Sequence, residues 1–197
     1  MPEDYLAGNP PCNGTERLVV VSGCSGGGKS SLLSEMARRG YLIKPEPGRQ
    51  IVQEQSCIEG DAVPWGNLPK FVELCVSRGM YFYNTAKPTR KCVLFDRSIV
   101  DAVCSLARLG LPTPAHLRNA LERYRYASVV FMTPPWEELF ESDEERRHSF
   151  SDAVAEYEGL LQSYPANGYE VELIPKAGVE ERADFLEARV HRSPTEA

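Results

Sequence analysis

Eight consecutive residues, from Gly23 to Ser30, carry the clearest chemical signal in the chain. They read Gly-Cys-Ser-Gly-Gly-Gly-Lys-Ser and match the phosphate-binding pattern G-x-x-x-x-G-K-[ST], the P-loop. An apolar run precedes them and a helical pattern follows, an arrangement that directs consecutive backbone N–H groups at phosphate oxygens. The pattern therefore predicts nucleotide binding by Gly23, Ser25, Gly26, Gly27, Gly28, Lys29, Ser30 and Ser31.

A cation, a hydroxyl and a carboxylate in and near this loop suit a magnesium–triphosphate complex. Lys29 would place its charge between the β- and γ-phosphates, and Ser30 would offer its hydroxyl to Mg²⁺. Asp96 follows an apolar run, as the Walker B acid that helps to hold Mg²⁺ does. The alternative for Asp96 is the N-cap of the next helix, a role that Ser98 fits better. We therefore expect a metal site at Ser30 and Asp96, with ATP and Mg²⁺ as cofactors; the guanine-recognition pattern Asn/Thr-Lys-x-Asp is absent from the sequence, which favours ATP over GTP.

Two more charged residues stand where predicted strands end. Arg97 could bind a substrate phosphate or neutralise charge in the transition state, or it could pair with a surface carboxylate. Glu46, which lies between two prolines, could take a proton from an attacking hydroxyl or bind a sugar hydroxyl, or it could be a solvated turn acid. Arg49 could join the same site or pair with Glu46.

The charged stretch 141–148 follows the fourth predicted strand. It is typical of a mobile lid, in which Arg146 and Arg147 would close over the transferring group and exclude water. The alternative is a charged helix face with internal ion pairs.

Alternating apolar runs and helical patterns must position these residues. The patterns predict strands at 17–22, 41–44, 92–95, 129–132 and 169–174, and helices at 29–39, 49–57, 68–86, 99–109, 114–125, 150–163 and 178–191. This alternation predicts an α/β fold with a parallel sheet that is covered on both faces. Ligands of such sheets bind beyond the carboxyl ends of the strands, where Glu46, Asp96 and Arg97 would lie.

The composition sets limits on the class of protein. With 197 residues, of which 42% are hydrophobic, we expect one compact domain at 17–191 between a flexible tail, 1–16, and a frayed end, 192–197. The net charge of −6 argues against a nucleic-acid polymer as partner. No apolar stretch approaches about 20 residues, so we expect no membrane span. Six cysteines without C-x-x-C or zinc spacing favour a reducing, cytoplasmic setting.

Taken together, several motifs resemble a known family. The P-loop, the segments Pro45–Arg49 and Phe95–Ser98, the Pro134–Trp136 turn, the stretch Asp143–Arg147 and the segment Arg182–Phe185 are similar to the AAA-domain-like P-loop ATPase/kinase family. That family resembles nicotinamide-riboside kinase domains and nucleoside and nucleotide kinases. The resemblance, which spans about residues 17–190, implies a three-layer α/β sandwich of the P-loop NTPase type. It also implies a five-stranded parallel sheet of order 2-3-1-4-5 with a lid.

The same resemblance bears on the catalytic residues. Deoxynucleoside kinases use a Glu after strand two as the base and carry a Glu-Arg-Ser motif after strand three; Glu46 and Asp96-Arg97-Ser98 look similar, with Asp in place of Glu. Whether Glu46 or Asp96 would be the base therefore stays open. The resemblance implies a Mg²⁺-dependent kinase that moves the ATP γ-phosphoryl group to a small-molecule acceptor such as a nucleoside or nucleotide. The expected catalytic residues are Lys29, Glu46, Asp96, Arg97, Arg146 and Arg147.

A second hypothesis is a nucleotide-dependent switch with slow NTPase activity, whose loops would change order with the γ-phosphate. A third is an NTPase or ATPase without an acceptor. The sequence identifies neither the acceptor nor the oligomeric state.

Overall fold

The computed structural model describes residues 15–86, 91–139 and 149–190. Within these ranges five strands form one parallel sheet of order β2-β3-β1-β4-β5. The strands are β1 (Leu18–Gly23), β2 (Leu42–Lys44), β3 (Val93–Asp96), β4 (Val129–Thr133) and β5 (Glu170–Leu173). The predicted fold class and strand order are therefore confirmed, and each strand begins and ends within one residue of its predicted bounds.

Seven α-helices lie in the described ranges, and short 3₁₀ turns occupy Thr15–Arg17 and Glu137–Leu139. The helices are α1 (Lys29–Arg38), α2 (Pro47–Cys57), α3 (Leu68–Asn84), α4 (Ile99–Arg108), α5 (Ala115–Arg123), α6 (Phe150–Ala166) and α7 (Val179–Val190).

Alternate strand residues face two separate hydrophobic cores. Leu18 and Val20 of β1 pack in the core that α3, α4, α5 and α6 cover, whereas Val19 and Val21 pack in the core beneath α1 and α7. This two-residue period gives the sheet two buried faces, which explains why its three central strands, β1, β3 and β4, are nearly continuous apolar runs. The result is the predicted three-layer sandwich.

Two helices whose bounds differ from the predictions contain a proline near the end that differs. Helix α2 begins at Pro47, two residues before the predicted start at 49, because proline is favoured in the first turn, where no helical N–H bond is required. Glu46 therefore occupies the N-cap position of a helix and not the middle of an isolated turn. Helix α6 continues past 163 to Ala166, although Pro165 in its last turn has no N–H to donate to the carbonyl of Leu161.

Some predicted features lie outside the described residues. These are the charged stretch 141–148 with Arg146 and Arg147, nearly all of the predicted tail 1–16, and the predicted frayed end 192–197. Residues 15 and 16 of that tail are described, and they form part of the first 3₁₀ turn. In the ranges that are described, none of the helices has both the length and the apolar character that crossing a bilayer demands.

Candidate active site

The P-loop connects the end of β1 to the start of α1 and lies directly against the end of β4. Gly23 has φ 135° and Gly28, the N-cap of α1, has φ 69°, conformations that L side chains rarely adopt. A Cβ atom at Gly23 would overlap Oγ1 of Thr133, and one at Gly27 would lie 2.8 Å from the same oxygen. Register explains the contact, because Gly23 of β1 pairs with Thr133 of β4. Residues 23 and 27 must therefore both be glycine.

Lys29 and Asp96 meet across two neighbouring strands. The Nζ atom of Lys29 lies 2.9 Å from Oδ1 of Asp96, and their side chains are 7% and 13% exposed. Asp96 reaches this position because it ends β3, where it pairs with Val21, two residues before the loop begins. The predicted acid thus stands beside the predicted lysine, and the pair is neutral as a whole.

A cavity of about 700 Å³ opens above the carboxyl ends of the strands. This volume falls within the range of small-molecule sites. Most of the predicted site residues line it, namely Ser25, Gly26, Gly28, Lys29, Ser30, Ser31, Glu46 and Arg97. Gly23, Gly27 and Asp96 lie beside these lining residues. The two glycines pack against Thr133, and the Asp96 carboxylate pairs with Lys29.

Arg97 lies among carboxylates from three helices. Its Nε is 3.0 Å from Oε1 of Glu46, and one terminal nitrogen is 2.7 Å from Oε1 of Glu156 and 3.4 Å from Oδ1 of Asp101. Burial opposes the charge, but Glu156, Glu46 and Asp101 outweigh it, so the pKa of the Arg97 guanidinium lies well above its ordinary value. The backbone of Arg97 is left-handed, with φ 67°, and its N–H donates to the carbonyl of Val21 at 3.0 Å.

Several hydrogen bonds hold Asp101 in place in this cluster. Its buried carboxylate accepts hydrogen bonds from the hydroxyls of Ser22 and Tyr164 and, at 2.8 Å, from the backbone N–H of Ser98. The Ser98 hydroxyl in turn accepts from the N–H of Val100, so Ser98 and Asp101 form a capping box at the start of α4. Ser98, and not Asp96, is therefore the helix cap, as the sequence indicated.

The cavity also has an apolar wall. Helix α2, helix α3 and the loop between them contribute it, and its members are Val52, Pro64, Trp65, Leu68, Phe71 and Cys75. Burial, together with the nearby Glu46 charge, raises the pKa of the Cys75 thiol to about 12, so this thiol is neutral at physiological pH. A wall of this kind can hold a flat or apolar part of a ligand.

Beside the P-loop, a second arginine approaches from α7. A terminal nitrogen of Arg182 donates to the carbonyl oxygen of Gly28 at 3.0 Å, and its guanidinium carbon lies 5.7 Å from the centre of the Trp136 ring. Burial lowers the pKa of Arg182.

Comparison with known proteins assigns the family. A family model described as AAA domain matches residues 18–182, which is most of the chain. The chain belongs to the AAA domain family. No curated protein sequence matches this AAA-domain chain.

The solved structures with a similar fold include P-loop kinases. Deoxyadenosine kinase from M. mycoides with bound dATP is 11% identical, with a TM-score of 0.59 over 89% of this chain and 100% of that chain. The same enzyme with the products dCMP and a flexible dCDP is 12% identical, with a TM-score of 0.61 over 88% and 97%. Thymidylate kinase from Ehrlichia chaffeensis is 12% identical, with a TM-score of 0.56 over 87% and 97%. At such identities the likeness establishes the P-loop kinase fold, and the predicted family resemblance is confirmed.

Three residues of the site were given no role from the sequence, although Arg182 belongs to the segment Arg182–Phe185 that carries part of the family resemblance. Glu156 and Asp101 contact Arg97, and Arg182 contacts the P-loop, over separations of 59, 4 and 154 residues. For Asp101 a local signal existed, since Ser98 followed three residues later by an acid is a capping-box pattern. The other two lie within ordinary helical patterns, and only the fold brings them to the site.

Proposed function

We propose that this protein is a Mg²⁺-dependent kinase that moves the γ-phosphoryl group of ATP to a hydroxyl of a small molecule. The observation that carries the proposal is one cavity with a P-loop along one wall and an arginine–carboxylate cluster, Arg97 with Glu46 and Glu156, along another. Such transfer needs chiefly positioning and charge stabilisation, which these groups can supply.

At the donor end, the backbone of Gly26 to Ser30 and the Lys29 ammonium would hold the phosphates. The Ser30 hydroxyl and the Asp96 carboxylate are hard oxygen ligands of the kind that Mg²⁺ takes, and the pairing of β3 with β1 places Asp96 beside the loop. When bound, the metal would neutralise phosphate charge as the terminal phosphoryl group leaves. Arg146 and Arg147, outside the described residues, stay predicted to close over that group.

At the acceptor end, we assign the base to Glu46. Asp96 is engaged with Lys29, whereas Glu46 lines the cavity with its carboxylate held by Arg97. Glu46 would take the proton of the acceptor hydroxyl as that oxygen bonds to the γ-phosphorus. The bond between the γ-phosphorus and the β–γ bridging oxygen breaks at the same time, and ADP leaves. Arg97 would orient Glu46 and stabilise charge on the acceptor side.

The charges of the Arg97 cluster favour an acceptor without a phosphate beside it, although Arg49 and Arg108 also line the cavity. Glu46, Asp101 and Glu156 outnumber the one cation that they share, Arg97. Like charges about 5 Å apart repel by about 3 kcal/mol per pair at an effective dielectric constant of about 20. The apolar wall with Trp65 and Phe71 suits a ring. A nucleoside is thus the first candidate, in keeping with the likeness to a deoxyadenosine kinase.

The test is a panel of nucleosides and their monophosphates with γ-labelled ATP. We expect label transfer to an unphosphorylated compound, no turnover by Lys29→Met, and a fall in kcat of about 100-fold or more in Glu46→Gln with ATP affinity retained. Arg123→Met, an exposed change on α5, is the matched control with unchanged turnover.

Unchanged turnover in Lys29→Met would contradict the proposal. Slow hydrolysis alone, together with nucleotide-dependent capture of a partner, would favour the switch.

A further inference from the structure

Arg182 is a buried arginine beside the P-loop. It is 4% exposed, extends from the first turns of α7 and donates to the carbonyl of Gly28, the N-cap of α1. That carbonyl also accepts the first hydrogen bond of α1, from Leu32 at 3.2 Å. Arg182 therefore fixes the backbone at the residue where the loop becomes the helix.

The surroundings of Arg182 differ from those of Arg97 and Arg39. Arg97 contacts three carboxylates, and Arg39, which joins α1 to α7, contacts three more, those of Glu35, Asp184 and Glu187. Within the described ranges Arg182 has only the Gly28 carbonyl and the Trp136 ring as partners, and its Nε finds no hydrogen-bond partner. A desolvated cation without an anion is costly, and proteins keep one where an anion binds.

Among the described charged residues at the P-loop, Lys29 has an acidic partner and Arg182 does not. Lys29 is already paired with Asp96 at 2.9 Å, so the loop lysine brings no net charge to the donor end. Arg182 adds a positive charge at the carbonyl of Gly28, the residue before Lys29, in a loop whose amides turn towards phosphate. Electrostatic attraction to phosphate there grows with the number of phosphate charges.

We infer that Arg182 is a positioning residue of the donor site, a buried counter-charge that fixes Gly28 and is balanced by the phosphates of the bound nucleotide. This inference rests on the proposed function, since it requires a nucleoside triphosphate on the P-loop. Arg182 acts through the Gly28 backbone and through its electric field, and it contributes most to the most highly charged ligand.

The experiment measures how ATP, ADP and AMP displace a fluorescent ATP analogue in the presence of Mg²⁺, together with the melting temperature of the ligand-free protein. The variants are Arg182→Met, which removes the charge, and Arg182→Lys, which retains it. The matched control is Arg39→Met, which removes an arginine with three acidic partners at the same α1–α7 contact.

We expect Arg182→Met to weaken ATP about 10-fold or more, ADP less and AMP least, with a ligand-free melting temperature equal to or above that of the wild type. Arg182→Lys should keep ATP within about 3-fold, because the charge remains. Arg39→Met should lower the melting temperature and leave the ATP-to-ADP affinity ratio unchanged.

Three results would overturn the inference. One is equal weakening of all three nucleotides, one is no weakening of ATP, and one is an Arg182→Met protein that melts lower or does not fold, since each indicates a purely structural residue. If the wild-type protein does not bind ATP at all, the proposed function fails first. Binding by the wild type with an unchanged Arg182→Met variant refutes this inference alone.

Discussion

Arg97 illustrates how one side chain joins distant parts of the chain. Its three carboxylate partners come from the N-cap of α2, from α4 and from α6, and its own backbone connects β3 to α4. The positive charge of Arg97 offsets the repulsion among the three carboxylates, so they can lie close together. The residue that we place at the acceptor end is thus also a structural residue.

Loss of Arg97 should therefore cost stability as well as activity. We expect Arg97→Met to lower the free energy of unfolding by about 3 kcal/mol, because buried Asp101 and the partly buried Glu46 and Glu156 lose their counter-ion. Urea unfolding followed by circular dichroism measures this value. Arg123→Met, an exposed change, should stay within about 1 kcal/mol of the wild type. A loss of the same size in both variants would show that the cluster has no special role in stability.

Cys24 lies inside the P-loop, yet its thiol should react slowly. It is 1% exposed, and burial, reinforced by the charge of Glu156, raises the pKa of the Cys24 thiol to about 11. At pH 8 only about one molecule in a thousand would carry the reactive thiolate, and this fraction rises about tenfold for each pH unit up to the pKa. Exposed Cys57 should thus be alkylated by iodoacetamide long before Cys24, as mass spectrometry can measure. Equal rates at the two sites would contradict the burial of Cys24.

At the scale of elements, the contact between the P-loop and β4 sets the shape of the donor site. Gly23 combines a positive φ of 135° with no room for a side chain beside Thr133, whereas Gly40 has a positive φ of 85° and open space around it. A substitution at Gly40 therefore tests backbone strain alone, whereas one at Gly23 tests strain together with steric overlap.

Alanine at these two glycines should therefore differ in cost. We expect Gly40→Ala to destabilise the protein by about 1 kcal/mol, through strain alone. Gly23→Ala should cost about 1–3 kcal/mol more, because β4 must move, and it should also abolish nucleotide binding. Chemical unfolding and nucleotide titration measure the two effects. Similar costs would mean that Thr133 moves aside easily.

The elements themselves were predictable from the sequence, since apolar runs and helical periods are local signals. Thus β1, the P-loop and α1 followed from residues 17–39 alone. The strand order required a family resemblance, because alternation of strands and helices implies a parallel sheet and no particular order. The contacts of Glu156 and Arg182 could not be predicted, since they depend on how α6 and α7 pack, and no local pattern encodes that.

At the scale of the whole molecule, the two layers of helices supply different parts of the site. Helices α1 and α7 lie on one face of the sheet with the P-loop and Arg182, whereas α3, α4 and α6 lie on the other with Phe71, Asp101 and Glu156. The cavity lies where the layers meet, above the carboxyl ends of the strands. A ligand that fills it contacts both layers, so its binding should stabilise the fold as a unit.

That stabilisation has a calculable size. A ligand at about 100 times its dissociation constant adds about 2.7 kcal/mol to the free energy of unfolding, which for a chain of this length corresponds to a rise of roughly 5–10 °C in melting temperature. We expect this rise with Mg²⁺ and ATP in the wild type and in Arg123→Met, measured by scanning calorimetry. Lys29→Met should lose the rise, and it should also melt lower without ligand, because Asp96 loses the cation 2.9 Å away. Restoring the ligand-free melting temperature with the double variant Lys29→Met/Asp96→Asn, still without an ATP-induced rise, would separate the two roles of the lysine. An ATP-induced rise that persists in Lys29→Met would instead mean that the nucleotide binds away from the P-loop.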